Sequence, residues 1–361
     1  MTQAMASSAD DERRAGEAPP PARRIPLCFA KETRGGKPLG QDISALAVAG
    51  RTLFCASDET ARLERLVYDP QRGVFADHES LGLETAFALP GGLEEMDIEG
   101  LAVEDGHLWI TGSHSLKRHK PESDAKGLAD LAETRWDRNR GFLGRLALED
   151  RGDGIFAFAP EGGQMMKMGR SGRKGLYGLL RRSPLLAPFL QVPSKENGLD
   201  VEGIAPMGDR VVIGLRGPVL GTHALLVSLA LRTSRKGHLK PVAEADALYR
   251  LHAVDLEGFG VRDLLVEGEN LLILAGPTQA IEGMQRVYEI RGFSAEDELI
   301  PRERVRRRLA LPMRDRCDHA EGMARLSVGG EALLLVAYDK PAPDRFDVDR
   351  GELTLDAFRL D

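Results

Sequence analysis

Cysteine is scarce in this chain, with Cys28, Cys55 and Cys317 as the full set. An odd count without a CxxC spacing offers neither a disulfide framework nor a zinc-ligand set, and it agrees with reduced thiols in the cytoplasm. Positive charge is also in deficit: 49 Lys and Arg stand against 56 Asp and Glu, for a net charge of -7 and a pI near 5.7. A general nucleic-acid binder needs the opposite balance to neutralise phosphates, so no nucleic-acid partner is expected. No apolar run reaches the roughly 18 residues of a membrane-spanning helix, so no membrane partner is expected either. The first 24 residues are charged and rich in Ala, Pro and Ser, lack the apolar core of a secretory signal, and read as a disordered tail. There is no Ser-centred nucleophile elbow and no paired-His zinc motif.

What the chain has is a repeat. Asp97-Ile98-Glu99-Gly100, Asp200-Val201-Glu202-Gly203 and Asp255-Leu256-Glu257-Gly258 share one pattern, with His319-Ala320-Glu321-Gly322 as a near copy and Asp42-Ile43-Ser44-Ala45 as a degenerate one. Each precedes a short apolar run, a Gly- or Asp-bearing turn and a stronger apolar run, as in Leu101 to Val103, Asp105-Gly106 and His107 to Thr111. Apolar runs this short, punctuated by turn residues, predict hairpin-joined strands.

Copies starting at 42, 97, 200, 255 and 319 are separated by 55, 103, 55 and 64 residues, so one unit is about 55 residues, the size of a four-stranded propeller blade. The reading is an all-β β-propeller of five blades with helical insertions in the second blade, spread over one domain, residues 25–361. The insertions fall near 115–140 and 160–190. Six blades is the alternative, with Ile155 to Phe158 and Gln164 to Met168 as strands of an extra unit. The last unit lacks a fourth strand after Leu360, and Ile25 to Ala30 is available to supply it, closing the ring.

In a strand, residues two apart point to one side, so each Asp and Glu of a motif project together. Rotational symmetry then gathers Asp97, Glu99, Asp200, Glu202, Asp255, Glu257 and Glu321 into one acidic ring at a channel mouth. Such a ring is relieved by protons, by Lys or Arg, or by a hard divalent cation. Flexible oxygen ligands favour Ca²⁺, with Mg²⁺ second. Loops after the second strands reach the same mouth. There Arg216 and Lys340 are candidates to clamp a small anionic ligand, and His114 is a candidate acid or base. Two basic stretches, Lys117 to Lys120 and Arg170 to Arg182, stand out against an acidic chain, and the first, which leaves from the motif-bearing mouth, suits a cationic rim above it.

With the Asp97 to Ala102 stretch, Gly112 to Lys117 and Glu196 to Gly203 in view, the chain resembles a bacterial family catalogued as domain of unknown function 3616, over most of residues 25–361. More distantly its inner strands look like those of phytase-like propellers. In those propellers, carboxylates at the channel hold calcium and phosphate esters are cleaved. The resemblance implies a propeller and points to calcium. Two functions follow as expectations. One is a metal-assisted hydrolase of a small anionic ester, and the other is a non-catalytic propeller that binds a ligand or protein.

Overall fold

The computed structural model describes residues 18–360 apart from 31–32, 35–36, 93, 120–126, 169–174, 245–246, 280–282, 313 and 315. The expected tail lies outside the described residues up to residue 17, as do Lys120, Arg170, Arg173 and Lys174 of the two basic stretches. No helix of the described residues is long and apolar enough to cross a membrane, and all three cysteines are free thiols.

The fold is all-β and propeller-type. Its strands run in antiparallel meanders, each opened by an inner strand: Ile43–Ala49, Ile98–Glu104, Asp200–Met207, Gly260–Glu267 and His319–Val328. We call these the first to fifth units. Their second strands are Thr52–Ser57, His107–Gly112, Arg210–Gly217, Asn270–Gly276 and Glu331–Asp339. Third strands are Arg62–Asp69, Leu143–Asp150, His223–Thr233, Arg286–Ile290 and Glu352–Phe358. In the first four units, Val74–Gly82, Phe156–Met166, Arg250–Asp255 and Val305–Ala310 lie outermost. The outermost strand of the fifth unit comes from the other end of the chain. Arg23–Cys28 pairs antiparallel with Glu352–Phe358, Ile25 opposite Leu355, and touches the first unit through Leu27 and Phe75. This strand begins inside the expected tail, at Arg23.

Both faces of each sheet are covered, which is why strands such as Leu271 to Ala275 are apolar without alternation. One layer packs Leu27, Leu46 and Leu53 against Leu326, Leu335 and Leu355, joining the fifth unit to the first. Equivalent layers join the first to the second, the second to the third, the third to the fourth and the fourth to the fifth. Apolar burial therefore runs in a closed circuit, and every unit depends on two neighbours.

The motif glycines sit where inner strands approach one another. A Cβ on Gly100 would meet the Gly203 backbone at 3.1 Å, and one on Gly203 would lie 2.9 Å from the Leu264 nitrogen. Gly203 also has φ of +110°, a region that other residues rarely adopt. Gly203→Ala is therefore expected to lose about 2–4 kcal/mol of unfolding free energy in urea, through clash and strain together.

Between the second and third motifs, helices span Gly127–Ala132 and Gly175–Leu180. The first covers six residues of the insertion expected near 115–140, and it leaves Leu128 and Leu131 exposed. The second is buried against Leu199 and Leu215. The runs Ile155 to Phe158 and Gln164 to Met168 fall largely within one outermost strand of the second unit.

Candidate functional site: a collar of carboxylates and guanidinium groups

In every inner strand, pairing to the second strand skips at one place: Ser44, Glu99, Glu202 with Gly203, Arg262 and Glu321. A bulge of this kind turns one side chain out of the regular alternation. The bulged side chains meet at the mouth where the inner strands begin. Arg262 Nη1 donates to Glu321 Oε1 at 2.7 Å and lies 3.3 Å from Glu202 Oε2, linking three units. Arg216 Nη1 sits 2.6 Å from Glu202 Oε1 and its Nη2 pairs with Asp200. Ser44 is too short to reach across and donates to the Ile98 carbonyl at 2.5 Å.

The structure thus brings Glu99, Glu202, Glu321, Asp97 and Asp200 together but leaves Asp255 and Glu257 out. Asp255 ends the outermost strand of the third unit, and Glu257 lies in the following turn with φ of +62°. There Glu257 pairs with Arg286, Arg302 and Arg307. The fourth collar place belongs to Arg262, five residues further on. An even spacing could have found it: Glu202, Arg262 and Glu321 are 60 and 59 residues apart, whereas Glu257 breaks the series.

Arg140, absent from the sequence reading, holds Asp97. It is buried and its Nη2 lies 2.6 Å from Asp97 Oδ1 and 3.1 Å from Glu95 Oε1, while Nη1 donates to Ser115 Oγ at 2.6 Å. It comes from the Arg138–Gly141 turn before the third strand, so no repeat pattern marks it. Asp42, Asp58 and Asp339 add further carboxylates beside Asp97.

The three candidate catalytic residues differ in how they are placed. His114 is buried, its Nε2 lies 3.0 Å from the Phe142 carbonyl, and burial pushes its pKa down to about 4. It is a neutral structural side chain and not an acid or base near neutrality. Arg216 reaches the collar, but its guanidinium is engaged by Asp200 and Glu202 and is not a free clamp. Lys340 is exposed at the same mouth, with Nζ 3.5 Å from Asp339.

Glu99 differs from the other collar acids. Among the described residues it makes no hydrogen bond or ion pair. Burial pushes its carboxyl well above the usual range, and the charges of Asp97, Glu202, Glu321 and Asp200 push it further. Burial also raises Glu321, to about 8, and Asp200, to about 7, in each case against the pull of an arginine. Asp58 rises to about 7 through burial and then Asp97 and Asp339.

These shifts fix a pH response. Carboxyls raised in the fold bind protons that the unfolded chain releases, so their contribution is full below about pH 4 and is lost as pH rises through about 8. His114, with its pKa depressed, loses its contribution as pH falls from about 6.5 through about 4. The melting temperature is expected to be higher near about pH 6 than near about pH 8.5, and Glu321→Gln to flatten that alkaline decline. A melting series across buffers checks both, and an unchanged slope in the variant would contradict the assignment.

The donor set does not fit calcium as it stands. Among the described residues, no group of three or more His, Cys, Asp or Glu side chains is arranged to hold a metal ion. Arg216 and Arg262 already occupy the oxygens of Glu202 and Glu321 that an ion would need.

An all-β, propeller-type fold with an ionisable collar at one mouth is the class that these observations define. The chain belongs to the family described as Protein of unknown function (DUF3616), whose model matches residues 42–356. No curated protein matches the sequence. Among solved structures, glutaminyl cyclase from Myxococcus xanthus is similar at 11% identity and a TM-score of 0.42, covering 94% of this chain and 95% of that one. A glycosyl hydrolase from Bacteroides ovatus is similar at 10% identity and a TM-score of 0.39, with coverages of 90% and 86%. A sialidase from Trypanosoma rangeli is similar at 10% identity and a TM-score of 0.35, covering 88% of this chain and 46% of that one.

Proposed function

We propose that this protein is a cytoplasmic, five-bladed propeller whose mouth hydrolyses a small ester by carboxyl acid–base chemistry. Each of the five meanders is read as one blade. The observation that carries the reading is Glu99, a carboxyl with no hydrogen bond or ion pair among the described residues, set among carboxylates of which Glu202 is held by two guanidinium groups. Environments that push neighbouring carboxyls apart in proton affinity divide the labour of acid and base between them. Glu99 would give its proton to the departing oxygen. Glu202, fixed by Arg216 and Arg262, would orient the attacking water. Lys340, exposed at the rim and paired with Asp339 at 3.5 Å, would turn to meet a negative group on the substrate.

A second reading is the metal-assisted hydrolysis of an anionic ester, a phosphoester above all, as phytase-like kinship implies. Its support is the surplus of acids over Arg140, Arg216 and Arg262 at the mouth, together with a buried Asp58 oxygen, Oδ1, that has no hydrogen-bond partner among the described residues. Ca²⁺, or Mg²⁺, would be held by Glu99 with Asp97, Asp200, Glu202 and Glu321, and would supply Lewis-acid activation of water. For that, Glu202 and Glu321 must release their arginines.

Purified protein assayed against a panel of phosphate esters and lactones, before and after chelation, separates these readings. Turnover that survives EDTA is expected. Turnover and melting temperature that fall together and return with Ca²⁺ would move the assignment to the metal-assisted route. Ligand-induced stabilisation without any turnover would mark a non-catalytic binding propeller.

A further inference from the structure

The turn that carries Glu257 holds a second charged site, separate from the collar. Its Oε1 accepts from Arg307 Nε at 2.8 Å and Nη2 lies 2.7 Å away, its Oε2 accepts from Arg286 Nη1 at 2.6 Å, and Arg302 Nη2 is 3.6 Å off. Three guanidinium groups thus face one carboxylate. Of the acids nearby, Asp297 takes Arg304 and Glu289 takes Arg308, while Asp255 accepts the Glu257 N–H on Oδ1 at 3.0 Å and its charge also acts on Arg302.

The three arginines are set to different depths. Arg286 is mostly buried, stacks 5.4 Å over the Phe259 ring and also donates to the Tyr288 hydroxyl, so it is fixed in place. Arg307 is half-buried and Arg302 is exposed. Glu257 reaches them from a backbone with φ of +62°, which a glutamate adopts only when its surroundings hold it there. The turn is held by the Thr222 carbonyl, which accepts from the N–H groups of Leu256 and Gly258 at 3.2 and 3.1 Å.

We propose that Arg286, Arg302 and Arg307 form a binding site for a tetrahedral dianion, a phosphate monoester or a sulfate group, in which the Glu257 carboxylate now stands as an internal substitute. A dianion brings oxygens in three directions where the carboxylate offers two, and it meets a cluster in which three guanidinium groups outnumber the carboxylates of Glu257 and Asp255. The turn leads into the inner strand of the fourth unit, and Arg286 begins its third strand. The site therefore lies on the face where the inner strands begin, outward from Arg262.

The test is calorimetric titration of the full chain at low salt with inorganic phosphate, then with sulfate. Saturable binding is expected in the wild type. Glu257→Gln, which removes the competing charge, should bind about tenfold tighter, and Arg307→Gln about tenfold weaker. Arg302→Gln, on an exposed side chain, should weaken binding without moving the melting temperature. It keeps the test decisive if the Glu257 variant fails to fold. Sulfate matching phosphate identifies the shape and charge as what is read, and phosphate alone identifies the phosphoryl group. No saturable binding in the wild type, or affinities indifferent to Arg302→Gln, would overturn the proposal.

Discussion

Arg345→Met is expected to lower unfolding free energy by about 3–5 kcal/mol, the range for removing one partner of a buried ion pair. Arg345 is fully enclosed. Its Nη1 and Nη2 donate to the two oxygens of Asp356 at 2.8 and 2.7 Å, Nε donates to Asp318 at 2.9 Å, and the guanidinium lies 4.3 Å over the Tyr338 ring. Tyr338 donates in turn to Asp356 at 2.9 Å. Removing the cation leaves Asp356 in a site with almost no water, with the Tyr338 hydroxyl and the half-exposed Arg24 guanidinium, 3.6 Å away, as its remaining partners. The same centre joins the Asp318 turn before the fifth inner strand to Glu352–Phe358, the strand on which the N-terminal segment closes the ring. Urea unfolding of Arg345→Met and of Arg345→Met with Asp356→Asn measures the effect. Partial recovery in the double variant would show that the loss comes from the stranded charge, and equal losses would show that shape alone matters.

The other large effect is at Glu99. On the proposed acid role, Glu99→Gln, which keeps the size of the side chain but has no acidic proton to give, should lower turnover about 10²–10⁴-fold, the range for losing a general acid. Stability should not fall with it. The variant removes a group whose proton affinity is raised in the fold, so it should unfold less readily than the wild type above neutrality. Wild-type turnover should be full while Glu99 is protonated and decline as pH rises through its elevated pKa, and the variant should lack that alkaline limb. Turnover preserved in Glu99→Gln would remove the acid role whatever the reaction proves to be.

Much of the fold is legible in the sequence because its signals are local and repeated. Short apolar runs separated by Gly and Asp mark strands, and the recurrence of Asp-x-Glu-Gly marks how often the chain returns to one place. The missing last strand and the spare first one foretell their pairing. The site is less legible. Asp255 to Gly258 matches the motif letter for letter, yet its Asp caps a turn and its Glu turns outward, because strand pairing begins only at Gly260. Arg262, which shares no letter with the motif, fills the place. Arg140 belongs to no repeat at all.

Composition and order of residues settled that the chain is built of strands and that several carboxylates recur at one end of them. Those properties depend on neighbours in sequence, through side-chain alternation and turn chemistry. Which collar acids keep a guanidinium partner among the described residues was decided by tertiary structure. Charges on different strands neutralise one another only across distances that the closed circuit of sheets imposes, and burial inside that circuit sets where their protons reside.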